Sequence, residues 1–117
     1  MNKRKVGSEK EDEAARFLTK RGLKILELNF HNRFGEIDII AKDGDFTVFV
    51  EVKYRKSAAS GHPEEAVSMK KARTISKVAD YYRLCRKLPE DAKVRFDVIA
   101  IEGDDLRWYK NAFSYIS

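Results

Sequence analysis

The chain has 117 residues, of which 43% are hydrophobic and 37% charged, and its formal net charge is +5. This length and apolar content predict a single domain over residues 1–117 and exclude a wholly disordered chain. No apolar stretch approaches the roughly 20 residues of a membrane span, the basic N-terminus leads into no apolar signal segment, and Cys85 is the only cysteine. We therefore expect a cytoplasmic protein without membrane association, internal disulfides or a thiolate-cluster zinc site.

The first predicted element is a helix over residues 9–21. Ser8 is a favourable N-cap, and Glu11 follows three residues later, as in a capping box. A strand over residues 23–30 comes next, and we expect a polar loop over residues 29–35.

A β-hairpin is the strongest local pattern. Residues 35–41 and 46–53 are both rich in the β-branched side chains that are typical of strands. Asp43-Gly44 lies between them, and this dipeptide favours a two-residue type I′ turn.

A second, longer helix is predicted over residues 62–86, with Pro63 in its first turn. A strand over residues 94–101 and a short strand over residues 106–109 complete the pattern. The order α-β-β-β-α-β-β predicts an α/β fold in which helices flank a central, mixed five-stranded sheet.

The positive charge is concentrated in the middle of the chain. Residues 53–87 contain ten Lys or Arg and three acids, whereas the remainder is slightly acidic. This distribution favours a surface that contacts phosphate groups over an ordinary solvated helix face.

The hairpin turn predicts which side chains share a face of the sheet. A loop of Asp43-Gly44 places Glu36 opposite Glu51 and Asp38 opposite Phe49. One face is then apolar throughout and is expected to be core: Ile37, Ile39, Ala41, Val48, Val50 and Val52. A three-residue, bulged loop would change this pairing.

The opposite face gathers charged side chains at the open end of the hairpin. Asp38 and Glu51 become diagonal neighbours roughly 7–8 Å apart, and Lys53 lies on the same face. Because like charges destabilise a sheet, the pattern predicts a divalent ion such as Mg²⁺ or Mn²⁺, which takes carboxylate oxygens and substrate phosphate. The Val52 carbonyl is a further candidate ligand. A solvent-exposed face with scattered ion pairs is the alternative.

Asp38 followed by Glu51-Val52-Lys53 on neighbouring strands resembles the signature of the PD-(D/E)xK nuclease superfamily, although Ile37 stands where a proline is often found. A wider set of motifs looks like the uncharacterised bacterial YraN-like family of UPF0102 type: AARFL (14–18), GEIDIIA (35–41), FVEVKYR (49–55), PEEAV (63–67) and RFDV (95–98). That family is distantly similar to archaeal Holliday-junction resolvases. The resemblance implies a restriction-endonuclease-like fold.

The resemblance also implies roles for individual residues. Asp38 and Glu51 would be metal ligands and Lys53 the catalytic lysine. Glu11 matches an acid that the resolvases place on their first helix, so it has a catalytic reading beside its capping-box reading. Glu36 is a secondary candidate for the site.

Basic and aromatic residues near these positions are expected to contact nucleic acid. Lys71 matches a basic position of the family's second helix, or is an ordinary surface lysine. The candidate contacts are Tyr54, Arg55, Lys56, Lys70, Lys71 and Lys77.

Other residues with chemical potential receive structural interpretations. We expect Trp108 to pack in the core and Cys85 to be packed or inert. Asp97 is either a solvated acid at a sheet edge or the partner of a basic neighbour. His31 and His62 are too far apart in sequence to favour a zinc site.

These observations favour a metal-dependent DNA endonuclease, acting on branched DNA such as Holliday junctions, with a homodimer suggested by analogy. A non-catalytic nucleic-acid-binding module and a protein-interaction factor remain as alternatives.

Overall fold

The computed structural model describes the backbone of residues 3–55 and 67–116, and the side chains of these residues from Glu9 onward. The elements in chain order are α1 (Lys3–Lys20), β1 (Lys24–Asn32), β2 (Gly35–Asp43), β3 (Phe46–Arg55), α2 (Met69–Cys85), β4 (Val94–Glu102) and β5 (Asp105–Phe113). The strands form one sheet in the order β1-β2-β3-β4-β5. This confirms the predicted mixed five-stranded α/β fold and is compatible with a restriction-endonuclease-like arrangement. No helix in the described part of the chain is long and apolar enough to span a bilayer.

Neighbouring strands are antiparallel except β3 and β4, which are parallel. Two parallel strands cannot be joined by a tight turn, and the connection between them contains α2. The crossover places α2 on one face of the sheet. Helix α1 packs on the other face, and the central strands are apolar on both faces.

Each helix covers its own apolar core. The α1-side core consists of Ala14, Leu18, Leu23, Ile39, Ala41, Val48, Val50, Ile99 and Ile101. The α2-side core consists of Ile37, Ile40, Phe49, Ile75, Val78, Ala79, Tyr82 and Phe96.

Both helix starts differ from the sequence prediction. Helix α1 begins at Lys3, so Ser8 lies inside it and the predicted capping box is wrong. Lys3, Arg4 and Lys5 are good helix formers, and no proline interrupts the helix before Ser8. Helix α2 begins at Met69, because the Ser68 side chain accepts a hydrogen bond from the Lys71 N–H and caps it. A continuous helix from residue 62 is therefore wrong, and residues 62–66 lie outside the described residues.

The edge strands are longer than predicted. Strand β1 extends to Asn32, so the expected loop shrinks to Arg33 and Phe34. Asn29 explains the error: it has a left-handed backbone (φ 55°) within the strand, and asparagine usually indicates a loop. Strand β5 likewise continues to Phe113 and includes Asn111 at φ 53°.

The hairpin register is shifted by two residues from the prediction. Asp43 pairs with Phe46 and Ile40 with Phe49, so the loop residues are Gly44 and Asp45. Gly44 has φ 58° and occupies the first central position, where a type II′ turn places glycine. Because the shift is an even number, the predicted division of β3 between the two faces is retained.

Gly35, at the start of β2, lets that strand approach α2 closely. A Cβ atom on Gly35 would lie 2.7 Å from Thr74 Cγ2, and its φ of 157° also disfavours other residues. The Thr74 hydroxyl donates to the Lys70 carbonyl at 3.1 Å, which restrains the methyl group that faces Gly35.

We expect Gly35→Ala to lower the free energy of unfolding by about 1–3 kcal/mol, through overpacking and backbone strain. Thr74→Ser removes the obstructing methyl group and keeps the hydroxyl. The double variant Gly35→Ala/Thr74→Ser should therefore recover part of the loss in urea denaturation. Equal losses in the single and double variants would show that Thr74 is not the obstacle.

Candidate active site

The candidate site lies where β2 and β3 separate. Their recorded pairing ends at Ile39 and Val50. One residue beyond this point, the Asp38 side chain replaces the backbone acceptor of the neighbouring strand. Its Oδ2 accepts a hydrogen bond of 2.8 Å from the Val52 N–H. A carboxylate thus satisfies a backbone donor at the point where the hairpin opens, and Asp38 is held there at 7% exposure.

The strand also rotates at this point. Ile37 was predicted to share a face with Ile39, but Ile37 belongs to the α2-side core and Ile39 to the α1-side core. That prediction is wrong because regular alternation fails at Asp38. Asn29, with its left-handed backbone, lies in the adjacent segment of β1, between the residues paired with Ile37 and Ile39.

Glu51 is the second buried carboxylate, at 5% exposure. It lies on the same face as Phe49, towards α2, as expected from residues two positions apart on a strand. Its Oε1 is 3.3 Å from Lys53 Nζ and 3.7 Å from Lys71 Nζ. Its Oε2 is buried and has no hydrogen-bond partner among the described residues. One oxygen is therefore shared by two ammonium groups while the other is left for a further ligand.

Burial shifts the protonation of both carboxyls. It raises the pKa of Asp38 from 3.8 to about 7, the Val52 hydrogen bond acts in the opposite direction, and the charges of Glu11 and Glu36 raise it further. Burial also raises the pKa of Glu51 from 4.5 to about 7; the nearby Asp38 charge adds to this effect, while Lys71 and Lys53 oppose it. The two carboxyls thus interact with each other in a poorly hydrated place, where two negative charges are costly.

Glu11 joins this cluster from α1. It is half-buried, and burial raises its pKa, while hydrogen bonds with Asp38 and Asn29 lower it. Since the capping box is wrong, Glu11 has no capping role that competes with its place in the site. Glu36 is exposed and is not opposite Glu51 in the observed register, although its charge acts on Asp38 and Glu11.

The donor set fits a hard divalent ion. Among the described residues, no group of three or more His, Cys, Asp or Glu side chains is placed to hold a metal by itself. Magnesium, however, commonly uses one or two protein carboxylates and completes its shell with water and substrate phosphate. Asp38 and the unpartnered Oε2 of Glu51 supply that minimum. In an antiparallel pair a residue directs its N–H and C=O to the same neighbour, so the Val52 carbonyl faces the same opening as its N–H.

Asp97 shows what a structural buried acid looks like in this fold. It is 0% exposed, and its two oxygens accept four hydrogen bonds, from Arg95 Nε and NH2, the Trp108 indole and the Asn111 N–H, at 2.8–3.0 Å. The alternative of a solvated edge acid is wrong, and pairing with a basic neighbour is confirmed. Trp108 packs against the α1-side core, as predicted. Asp38 and Glu51 lack this saturation, which distinguishes them as a candidate site.

The expected nucleic-acid contacts do not form one cluster. Lys71 points to Glu51, while Lys70 and Lys77 are exposed on α2. Tyr54 packs against the α1-side core, away from Lys53, and Lys10 Nζ lies 4.7 Å from its ring centre.

The remaining predictions concern single residues. Arg55 is half-buried at the end of β3. Lys56 and His62 lie outside the described residues. Cys85 is exposed, so the expectation that it packs is wrong.

Asn29 lies in the site but is not among the residues that the sequence pattern predicts there. It lies between the β1 residues paired with Ile37 and Ile39, and it lowers the pKa of Glu11, which places it beside the acids. The available signal is an asparagine between apolar strand residues, since asparagine is one of the few residues that tolerate positive φ.

Substitution of aspartate by asparagine should have opposite effects on stability at Asp38 and at Asp97. The folded pKa of Asp38 lies above its ordinary value, so the folded state holds the proton more tightly and stability falls as pH rises from near 4 to about 7. In metal-free protein at pH 8, Asp38→Asn should therefore raise the free energy of unfolding by about 1–3 kcal/mol, and the gain should vanish near pH 4.

Asp97→Asn is the matched control, and should instead cost about 3 kcal/mol, because it breaks a saturated buried network. Urea denaturation in EDTA across this pH range measures both effects. Similar losses for the two variants at pH 8 would contradict the distinction between them.

Comparison with known proteins places the chain in a family. The model of the uncharacterised protein family UPF0102 matches residues 10–101. A UPF0102 protein from Lachnoclostridium phytofermentans is 47% identical over 113 residues, covering 97% of this chain and 96% of the relative. One from Fusobacterium nucleatum is 47% identical over 111 residues (95% and 92%), and one from Klebsiella pneumoniae is 41% identical over 112 residues (94% and 87%). Because the family match covers residues 10–101 and these relatives cover 94–97% of its length, the chain belongs to the UPF0102 family.

Proposed function

We propose that this protein is a metal-dependent endonuclease that hydrolyses phosphodiester bonds in DNA. One observation carries the proposal: the buried Glu51 shares one oxygen between Lys53 and Lys71, its other oxygen has no hydrogen-bond partner within the described part of the chain, and it lies beside the buried Asp38. Acids and lysines combined in this way suit a substrate that is itself an anion and that arrives with a divalent cation.

The chain's own residues have distinct tasks in this chemistry. Asp38 and Glu51 would hold the ion, which when bound polarises a phosphate and lowers the pKa of a water molecule. Lys53 and Lys71 would neutralise phosphate oxygens as negative charge develops during hydrolysis. Glu11 lies beside Asp38 and would orient it when the two carboxyls share a proton.

DNA is the favoured substrate because the two elements that bring lysines to Glu51, β3 and α2, carry much of the excess positive charge. Lys53, Lys70, Lys71 and Lys77 lie on β3 and α2, and contacts of this kind hold a phosphate backbone without reading sequence. The resemblance of Asp38 and Glu51-Val52-Lys53 to the PD-(D/E)xK signature points to the same substrate class. Branched DNA engaged by a homodimer belongs to the proposal by analogy with the resolvases.

Cleavage assays test the activity. Wild-type protein should cut branched, linear duplex or single-stranded DNA only with Mg²⁺ or Mn²⁺. Asp38→Asn, Glu51→Gln and Lys53→Ala should each reduce the rate on the order of a hundredfold. Asp45→Asn and Lys93→Ala are matched controls at exposed residues of a distant ion pair and should cut normally. Cleavage that survives Glu51→Gln at full rate would place the activity elsewhere, and DNA binding without cleavage would favour the non-catalytic binding module.

Metal binding can be measured without activity. At pH 8 we expect Mn²⁺ to raise the melting temperature of the wild-type protein, because a ligand that binds only the folded state stabilises it. The shift should disappear in Glu51→Gln and persist in Asp45→Asn. An equal shift in all three proteins would mean that the ion binds outside this site.

A further inference from the structure

Phe34 is an exposed aromatic residue at the tip of the β1–β2 hairpin. It is 46% exposed, and it occupies a two-residue turn where glycine or a polar residue is usual. The Asn32 side chain shapes this turn, since its Oδ1 accepts a 2.8 Å hydrogen bond from the Phe34 N–H. The turn therefore does not depend on the Phe34 ring, which is free to serve another purpose.

Two cations from different elements lie against this ring. The Arg33 guanidinium carbon is 4.9 Å and Lys77 Nζ 5.5 Å from the ring centre. Among the described residues, neither cation forms an ion pair with an acid. An exposed ring flanked by uncompensated positive charge is the combination that binds single-stranded nucleic acid, in which bases stack and phosphates need cations.

A second exposed phenylalanine differs from Phe34 in the ion pairing of the cations near its ring. Phe46, on the β2–β3 hairpin, is 36% exposed and also has two cations near its ring, Lys93 at 6.0 Å and Arg95 at 5.5 Å. These cations are already paired: Lys93 contacts Asp45 and Arg95 contacts two buried or half-buried acids. Phe46 therefore lacks the free charge that a phosphate needs.

Helix α2 connects the Phe34 tip to the candidate active site. Lys71 contacts Glu51, Thr74 meets Gly35, and Lys77 lies against Phe34. These three helix residues are spaced by three and so lie along one side of α2. Six residues of helix span about 9 Å, which is roughly the length of two to three base steps at 3.4 Å each.

We propose that Arg33, Phe34 and Lys77 form a platform on which an unpaired base stacks, two to three nucleotides from the cleavage site. This inference rests on the proposed function and names its substrate class: DNA with unpaired bases beside a duplex, such as a tailed or flapped end. Lys71 and Lys77 hold the intervening phosphates. A fully paired duplex has no free base to offer and does not use the platform.

The test compares two labelled probes, a blunt duplex and the same duplex with a single-stranded thymidine tail, by fluorescence anisotropy in EDTA. Phe34→Ala should weaken binding of the tailed probe about tenfold and leave the blunt probe within twofold of wild type. Phe34→Trp should restore tail binding, and its tryptophan fluorescence should change when the tail binds. Phe46→Ala is the matched control and should bind both probes as wild type does.

Unchanged tail binding by Phe34→Ala would overturn the platform, as would an equal loss on both probes or the same loss with Phe46→Ala. Wild-type cleavage of tailed DNA in Mn²⁺ separates the two proposals. If the wild type cuts and Phe34→Ala binds and cuts equally well, the platform fails and the nuclease stands. If the wild type neither binds nor cuts any DNA, both fail.

Discussion

The hydrogen bond from the Val52 N–H to Asp38 is the contact on which the rest of the site depends. Where two strands stop pairing, a buried backbone N–H needs a new acceptor, and leaving it without one costs about 1–3 kcal/mol. The carboxylate supplies that acceptor, so the hairpin can open without leaving the Val52 N–H unsatisfied. The same contact fixes a negatively charged group beside Glu51 and directs the Val52 carbonyl towards the opening. Apolar cores cover both faces of the sheet beside this opening.

The fold shows two ways of burying a carboxylate. Asp97 is enclosed by four hydrogen bonds and joins strand β4 to β5, which is a structural role. Asp38 and Glu51 are nearly as buried, yet one oxygen of Glu51 has no hydrogen-bond partner among the residues that the structure describes, and burial raises the pKa of both carboxyls. Asp97 has hydrogen-bond partners for both of its oxygens, whereas Asp38 and Glu51 repel each other when both are ionised. The arrangement of Asp38 and Glu51 therefore lowers the stability of the fold. Such a loss is typical of sites arranged for a ligand rather than for the folded state alone.

The sequence allowed the acids of the hairpin to be predicted because strand periodicity is local. The register was wrong by two residues, but an even error leaves the side chains of β3 on their predicted faces. Helix starts were less predictable: Ser8 and Ser68 are equally good caps in isolation, and only the structure shows that α1 continues past the first while α2 begins after the second. The rotation at Asp38 and the left-handed Asn29 depend on tertiary packing, which overrides simple alternation.

The contact between Lys71 and Glu51 could not be derived from periodicity, because it depends on where a crossover helix lies. It does follow from topology once β3 and β4 are known to be parallel. Their connection must cross one face of the sheet, and α2 crosses the face on which Glu51 and Lys53 point. Lys71 then lies against Glu51, and Lys77, six residues further along the same side of the helix, lies against Phe34 at the β1–β2 hairpin tip. The concentration of positive charge in the middle of the sequence is therefore explained in part by position: Lys53 lies near the end of β3, and α2 brings Lys71 to the buried Glu51.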